Sequence, residues 1–433
     1  MTCHILGLPV EILQQIGNIG RLETASLRLV CKAFDAAYLD QFCRDYLSDI
    51  HCFLLDPERL RKLKDITSKP YLAKRMPRVT LTLDPLENSD MDEISTVASN
   101  REPETVQVFE LDHETQQFRD SMYRRRDIFE HCCVNECDLD LMIAVIDDLK
   151  KAQCPNLSLN LDERQRYTGT TQHAQVSSIF NTVMWTKCKL TGLQLGNLRD
   201  LRAGFDVAAF HKDLKTFCLW SCEDDIESLV KRAWAGEDQL MKLILRDANE
   251  LETLSISGVG HGSRHYNGIS LDLRQVSYIH FMKMTLNANK FSALQDIDLF
   301  GVDIDVEDLR TVLHNCSKTL RVARLEYLLL AGDSGAWVQI LKLLLEECCN
   351  LNWLKLSMLS EESELVVDTT PHVSHAKLYQ AVETTQYTAE VSWDGRQEVV
   401  EGLRLNIERG IKWYKDCIKK GRFPSQVLAR MLI

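Results

Sequence analysis

Histidines, cysteines and clustered carboxylates are the side chains here that could hold a metal, attack a substrate or seat a cofactor, and their spacing decides what they can do. His131, Cys132, Cys133 and Cys137 stand close together, a donor set that suits zinc, but no second pair follows at the distance a zinc finger requires. His113-Glu114-x-x-Gln117 lacks the second histidine of a zinc-protease helix. Asp303, Asp305, Glu307 and Asp308 resemble part of a calcium loop, yet the glycine needed at the sixth position is Asp308, so an acidic surface is expected. Gly258-Val259-Gly260-His261-Gly262-Ser263 starts like a dinucleotide-binding turn, but Ser263 occupies the third glycine position and no helix pattern follows. It reads as a loop. No Gly-x-x-x-x-Gly-Lys-Ser/Thr run exists. Cys348 and Cys349 fall on a Leu-rich helical stretch and are expected as buried thiols. Asn156-Leu157-Ser158 and Asn315-Cys316-Ser317 are glycosylation sequons that matter only on a secretory route. The expectation is no catalytic residue, no cofactor and no metal, and a chain that works by binding.

Composition narrows what it binds. The 433 residues carry 51 basic and 63 acidic side chains, a net charge of −12. Affinity for phosphates rests on Lys and Arg, so the acidic balance argues against a general nucleic-acid or anionic-membrane binder. No apolar run approaches the roughly 20 residues that span a bilayer, and Met1-Thr2-Cys3-His4-Ile5-Leu6-Gly7 lacks a signal-peptide pattern. A cytoplasmic or nuclear location is expected, with the 15 cysteines kept as thiols.

The elements that must position any binding surface follow from periodicity. Leu8-Pro9-Val10-Glu11-Ile12-Leu13 starts a helix, because proline loses nothing in the first turn and Glu11 meets the positive helix end. Ile12, Leu13, Ile16 and Ile19 continue at helical spacing. A second helix carries Leu27, Val30, Cys31 and Phe34, and the stripe extends through Tyr38, Phe42 and Tyr46. Helices this short with this much apolar surface need a partner.

These residues resemble the F-box family. Leu8-Pro9-x-Glu11-Ile12-Leu13 matches that family's opening helix, and Arg28-x-Val30-Cys31-Lys32-x-Phe34 its second. The resemblance implies a three-helix module over 1–48 that docks on a Skp-type adaptor and so joins a cullin-RING ubiquitin ligase. Leu8, Pro9, Ile12, Leu13 and Ile16 would meet the adaptor, with Val30, Cys31 and Phe34 on the second helix. Gly17-Asn18-Ile19-Gly20 departs from the bulky apolar pair more usual in the family.

Residues 49–150 read as a helical linker with the first irregular repeats. Basic residues from Arg59 to Arg78 suggest a solvated helix face, Met76 to Leu83 alternates like a strand, and helices are expected over 118–137 and 139–151. From 151 to 399 a Leu-x-x-Leu-x-Leu pattern recurs after helical stretches. Its copies are Leu190/Leu193/Leu195, Leu214/Phe217/Leu219, Leu251/Leu254/Ile256, Leu294/Ile297/Leu299, Leu320/Ala323/Leu325 and Leu351/Leu354/Leu356. The last two positions of each copy are two apart, the strand period. The pattern resembles a leucine-rich repeat, which implies an irregular α/β solenoid of strand-plus-helix units sharing one core. From Leu193, equivalent positions step by 24, 37, 43, 26 and 31 residues, against roughly 20 to 29 in the regular family. The long steps imply inserted loops or degenerate repeats, such as 273–281.

In this register the residues between the inward leucines share one face. One column is Cys218, Ser255, Asp298, Arg324 and Lys355; the next is Trp220, Ser257, Phe300, Glu326 and Ser357. Exposed aromatics and arginines on rigid strands are typical interface anchors, so Trp220, Phe300, Arg324, Tyr327 and Trp353 are the expected target-binding residues. A slip of one residue would bury them instead. Residues 400–433 form an amphipathic helix on Leu403, Ile407, Ile411, Tyr414 and Ile418. From Arg396 onward the chain is +5 and the remainder −17. A basic amphipathic helix can bind a membrane surface or a partner, but a cap over the last repeat is the expected role. The implied function is a non-catalytic substrate adaptor of a ubiquitin ligase; a ligase-independent interaction scaffold is the alternative.

Overall fold

In the computed structural model, which describes residues 32–83, 137–161, 171–196, 212–220, 244–258, 271–332, 336–357, 359–362 and 390–419, the chain is mixed α/β with a large, mostly parallel sheet. It divides into two units, Met1–Asn160 and Leu161–Ile433. The expected helix over 118–137 and the opening F-box helix lie outside the described residues.

The first unit begins with α1 (Lys32–Tyr46), whose Phe34, Ala37, Tyr38 and Cys43 are buried at helical spacing. Strand β1 (Ile50–Phe53) leads into α2 (Pro57–Thr67). Asp56 caps this helix by accepting from the N–H groups of Glu58 and Arg59 at 2.9 and 3.1 Å, and Pro57 fits where no N–H is needed. A short turn of helix, α3 (Pro70–Ala73), precedes β2 (Arg78–Thr82), within the expected 76–83 strand. Helix α4 (Leu139–Ala152) matches the expected 139–151 helix and buries Met142, Val145, Ile146 and Leu149. It ends at Gln153 in the left-handed conformation, and β3 (Asn156–Leu161) follows. Strand β2 pairs in parallel with both β1 and β3, setting Val79 opposite Ile50 and Leu157, and Leu81 opposite Cys52 and Leu159. Arg59, Arg61 and Lys62 are exposed, as expected of a solvated face, while Lys64 reaches across to Asp148 on α4 at 2.6 Å.

The second unit opens with α5 (Thr171–Thr186), β4 (Gly192–Gly196), β5 (Thr216–Trp220) and β6 (Thr253–Ser257). Then come α6 (Leu271–Leu286), β7 (Asp296–Phe300), β8 (Asp303–Asp305), α7 (Val306–Cys316) and β9 (Val322–Glu326). The unit closes with β10 (Leu329–Ala331), α8 (Ala336–Glu346), β11 (Trp353–Ser357), β12 (Ser360–Glu362), β13 (Glu390–Asp394) and α9 (Arg396–Lys419). Strands β4, β5, β6, β7, β9 and β11 lie side by side in chain order, all parallel, and β13 runs antiparallel along β11. The short strands β8, β10 and β12 form a second parallel sheet.

The six sequence copies fall into register rung by rung. Leu193, Phe217, Leu254, Ile297, Ala323 and Leu354 are Cα partners across the sheet, and so are Leu195, Leu219, Ile256, Leu299, Leu325 and Leu356. All twelve are buried, as are the leucines that open each copy. Fully burying such a side chain stabilises by roughly 1.5–3 kcal/mol, so this double column is the spine of the unit's core.

Residues 273–281 lie within helix α6, where Leu273, Val276, Ile279 and Met282 recur every three residues, so a helix fills part of the long step before β7. One expectation fails. Cys348 and Cys349 follow the end of α8 at Glu346, and only Cys348 is buried while Cys349 is exposed. Consecutive residues in a turn point different ways, so adjacency in sequence does not share a core position. The last helix, α9, packs on α8 with Val399, Leu403, Asn406 and Ile407 buried. Gly402 makes the approach to β13 possible, since a Cβ there would overlap the Trp393 indole. Among the described residues, no helix is long and apolar enough to cross a membrane.

Candidate interaction face

Side chains alternate across a strand, so burying the leucine columns forces the intervening residues onto the opposite face. The two columns read from sequence stand in register, Cys218, Ser255, Asp298, Arg324 and Lys355 in one and Trp220, Ser257, Phe300, Glu326 and Ser357 in the other, and β4 extends them with Gln194 and Gly196. A third column, at the start of the strands, holds Thr216, Thr253, Asp296, Val322 and Trp353.

None of Trp220, Phe300, Arg324, Tyr327 and Trp353 belongs to the core. Phe300 and Tyr327 are 41% and 39% exposed, and Trp220, Arg324 and Trp353 are partly exposed. Four of the five come together in two contacts. The Phe300 and Tyr327 rings lie 5.0 Å apart at 51°, a tilted pair of the kind aromatic quadrupoles favour. Arg324 sets its guanidinium carbon 5.0 Å from the Trp353 ring centre, a cation–π contact. Trp220 lies two strands from Phe300, about 10 Å away at the usual strand spacing.

Around these rings is a charge network whose members other than Asp296 stand in the columns read from sequence, which do not show the pairing. Arg324 lies 3.6 Å from Asp296 and 3.8 Å from Asp298, and Lys355 lies 3.0 Å from Glu326. Burial pushes the carboxyls of Asp296 and Asp298 above the ordinary aspartate range, with Arg324 pulling both the other way. Asp296 was the member missed, although Asp296-Ile297-Asp298-Leu299-Phe300 alternates perfectly and so puts both aspartates on the phenylalanine's face.

Tyr327 holds an unusual backbone. Gly258, Gly301 and Tyr327 each follow the last residue of a strand, with φ of 81°, 63° and 56°. Each donates its N–H to the next strand, to the carbonyls of Phe300, Glu326 and Ser357 at 3.0, 2.9 and 2.8 Å. The turn wants a left-handed residue, and two of the three use glycine. Tyrosine there costs about 1 kcal/mol or more, a cost the fold bears at the residue that carries the exposed ring.

Of the residues expected to meet an adaptor, Leu8, Pro9, Ile12, Leu13, Ile16, Val30 and Cys31 lie outside the described residues. Phe34 is 5% exposed and stacks on Tyr38 with ring centres 6.1 Å apart, so intrachain packing leaves it little surface for a docking contact. Among the described residues no group of three or more His, Cys, Asp or Glu is placed to hold a metal ion. Asp305 of the acidic run instead caps α7, accepting from the Glu307 N–H at 2.8 Å. No disulfide joins the described cysteines, and burial raises the thiols of Cys52, Cys137, Cys316 and Cys348 to about 12.

Compared with known proteins, the chain matches no family model, and no curated protein is significantly similar to it. The fold and the face define a mixed α/β chain with a rigid sheet surface bearing aromatic rings and a dense charge network.

Proposed function

We propose that this chain is a substrate-recognition adaptor of an SCF-type cullin-RING ubiquitin ligase, docking a Skp-type adaptor through an F-box over 1–48 and a target protein through a leucine-rich-repeat-like solenoid. The docking half rests on the two ordered submotifs Leu8-Pro9-x-Glu11-Ile12-Leu13 and Arg28-x-Val30-Cys31-Lys32-x-Phe34. The target half rests on one observation above the others: six sequence copies stack in register and turn Trp220, Phe300, Arg324 and Trp353 to one sheet face. Such an adaptor carries no catalytic residue of its own; it raises the effective concentration of target lysines beside a ubiquitin-charged enzyme.

Co-purification with a recombinant Skp-type adaptor tests the reading. Binding by the parent chain and its loss in Leu8→Ala/Pro9→Ala are expected; no binding by the parent chain sinks the ligase assignment. A ligase-independent interaction scaffold is the second reading, favoured by the burial of Phe34 against Tyr38, which suits a helical module packed on its own chain.

A further inference from the structure

The same sheet face suggests what it grips, an inference that rests on its being a target-binding surface. The outward residues of β7, β9 and β11 include three acids, Asp296, Asp298 and Glu326, against two bases, Arg324 and Lys355. The described charges of these three strands therefore leave an excess of one negative charge. Both bases are already engaged by the acids, and Arg324 also covers Trp353. That contact is the local precedent: a guanidinium laid over a ring and flanked by carboxylates.

Phe300 and Tyr327 repeat half of the arrangement. Their rings touch one another, remain about two-fifths exposed, and sit directly beside Glu326, which pairs in register with Phe300 and precedes Tyr327 in the chain. Glu326 is paired with Lys355 at 3.0 Å, so the excess charge lies with Asp296 and Asp298, which share Arg324, Asp298 standing two residues before Phe300 on the same face. Electron-rich ring faces on a strand group of net negative charge complement a cation, and a lysine or arginine side chain is the polypeptide group that supplies one. Tyr327 takes the left-handed turn that Gly258 and Gly301 take on the neighbouring strands, so its exposed ring is held there at a backbone cost.

We propose that the Phe300–Tyr327 pair is the anchor site for a basic side chain, Lys or Arg, on a segment of the target protein, with Glu326 beside it as a carboxylate shared with Lys355. An acidic or phosphorylated segment would meet the excess negative charge and is disfavoured; a purely apolar segment would gain nothing from Glu326.

The test uses the full chain and a phage-displayed library of random dodecapeptides, with selection repeated on Tyr327→Gly. Glycine suits the left-handed turn, so this variant keeps the fold and removes only the ring, and circular dichroism with thermal melting verifies that. Peptides sharing one Lys or Arg position are expected. As synthetic peptides they should bind about tenfold more weakly to Tyr327→Gly or Phe300→Ala, and more weakly as salt rises. Replacing the shared basic residue by norleucine should have the same effect. An acidic or purely apolar consensus would overturn the basic-segment assignment while leaving the face a binding surface. Basic peptides that bind Tyr327→Gly as well as the parent would also overturn it. No enrichment on the parent chain would refute the site and the target-binding role of this face together, whereas the Skp-type adaptor measurement is independent of all three outcomes.

Discussion

Leu299 and Phe300 are neighbours in sequence with opposite assignments, and truncating each to alanine measures which face of β7 is the core. Leu299 is fully buried between its Cα partners Ile256 and Leu325. Its truncation removes the transfer energy of the side chain and leaves a cavity in a packed column, a cost of about 2–5 kcal/mol. Phe300 is 41% exposed and its described ring contact is with Tyr327. Losing an aromatic pair costs about 0.5–1.5 kcal/mol, and exposure places this one toward the low end. A chain of two units need not unfold in a single step, so urea melts should be paired with hydrogen exchange at the amides of β6, β7 and β9. Leu299→Ala should lower protection across those three strands by roughly 3.5 kcal/mol, the middle of the cavity range, and Phe300→Ala by less than about 1 kcal/mol. A Phe300→Ala loss equal to that of Leu299→Ala would invert the register and remove the basis for the interaction face.

The remaining predictions concern thiols and carboxylates. Iodoacetamide at pH 8 on the native chain should modify exposed Cys349 well before its neighbour Cys348, whose thiol burial raises to about 12, as read by peptide mass spectrometry; equal labelling would refute the turn geometry. Asp298→Asn should raise the urea midpoint at neutral pH, because burial raises the folded-state carboxyl above its unfolded value. An acid raised in this way favours the folded state fully below its unfolded pKa and loses that contribution as pH rises through the folded value. The advantage of the asparagine variant should therefore shrink on acidification toward pH 4, and a gap that widens there would refute the assignment.

Periodicity made the core of the second unit legible without coordinates. A side chain that must be buried at every second position leaves only one register, which is why all six Leu-x-x-Leu-x-Leu copies align and why the outward columns could be named. Strands β1 and β3 are less legible. Ile50–Phe53 is only four residues long, too short to show alternation, and the leucine alternation of Asn156–Leu161 overlaps the sequon Asn156-Leu157-Ser158. The long step between Leu254 and Ile297 hid helix α6 for a related reason: spacing counts residues but does not say how an insertion folds.

Sequence by itself determined which residues of the repeated strands point inward and where helices α4 and α8 run. Those properties follow from side-chain polarity and period, which are local. Tertiary structure alone decided the contacts: Arg324 reaching Asp296, Asp298 and Trp353 across three strands, Lys64 meeting Asp148 from 84 residues away, and Phe300 finding Tyr327. It also decided that Tyr327 takes a glycine's backbone. These contacts join residues that the chain brings together only when neighbouring strands or helices pack, and no periodicity within one element encodes which neighbour will lie alongside.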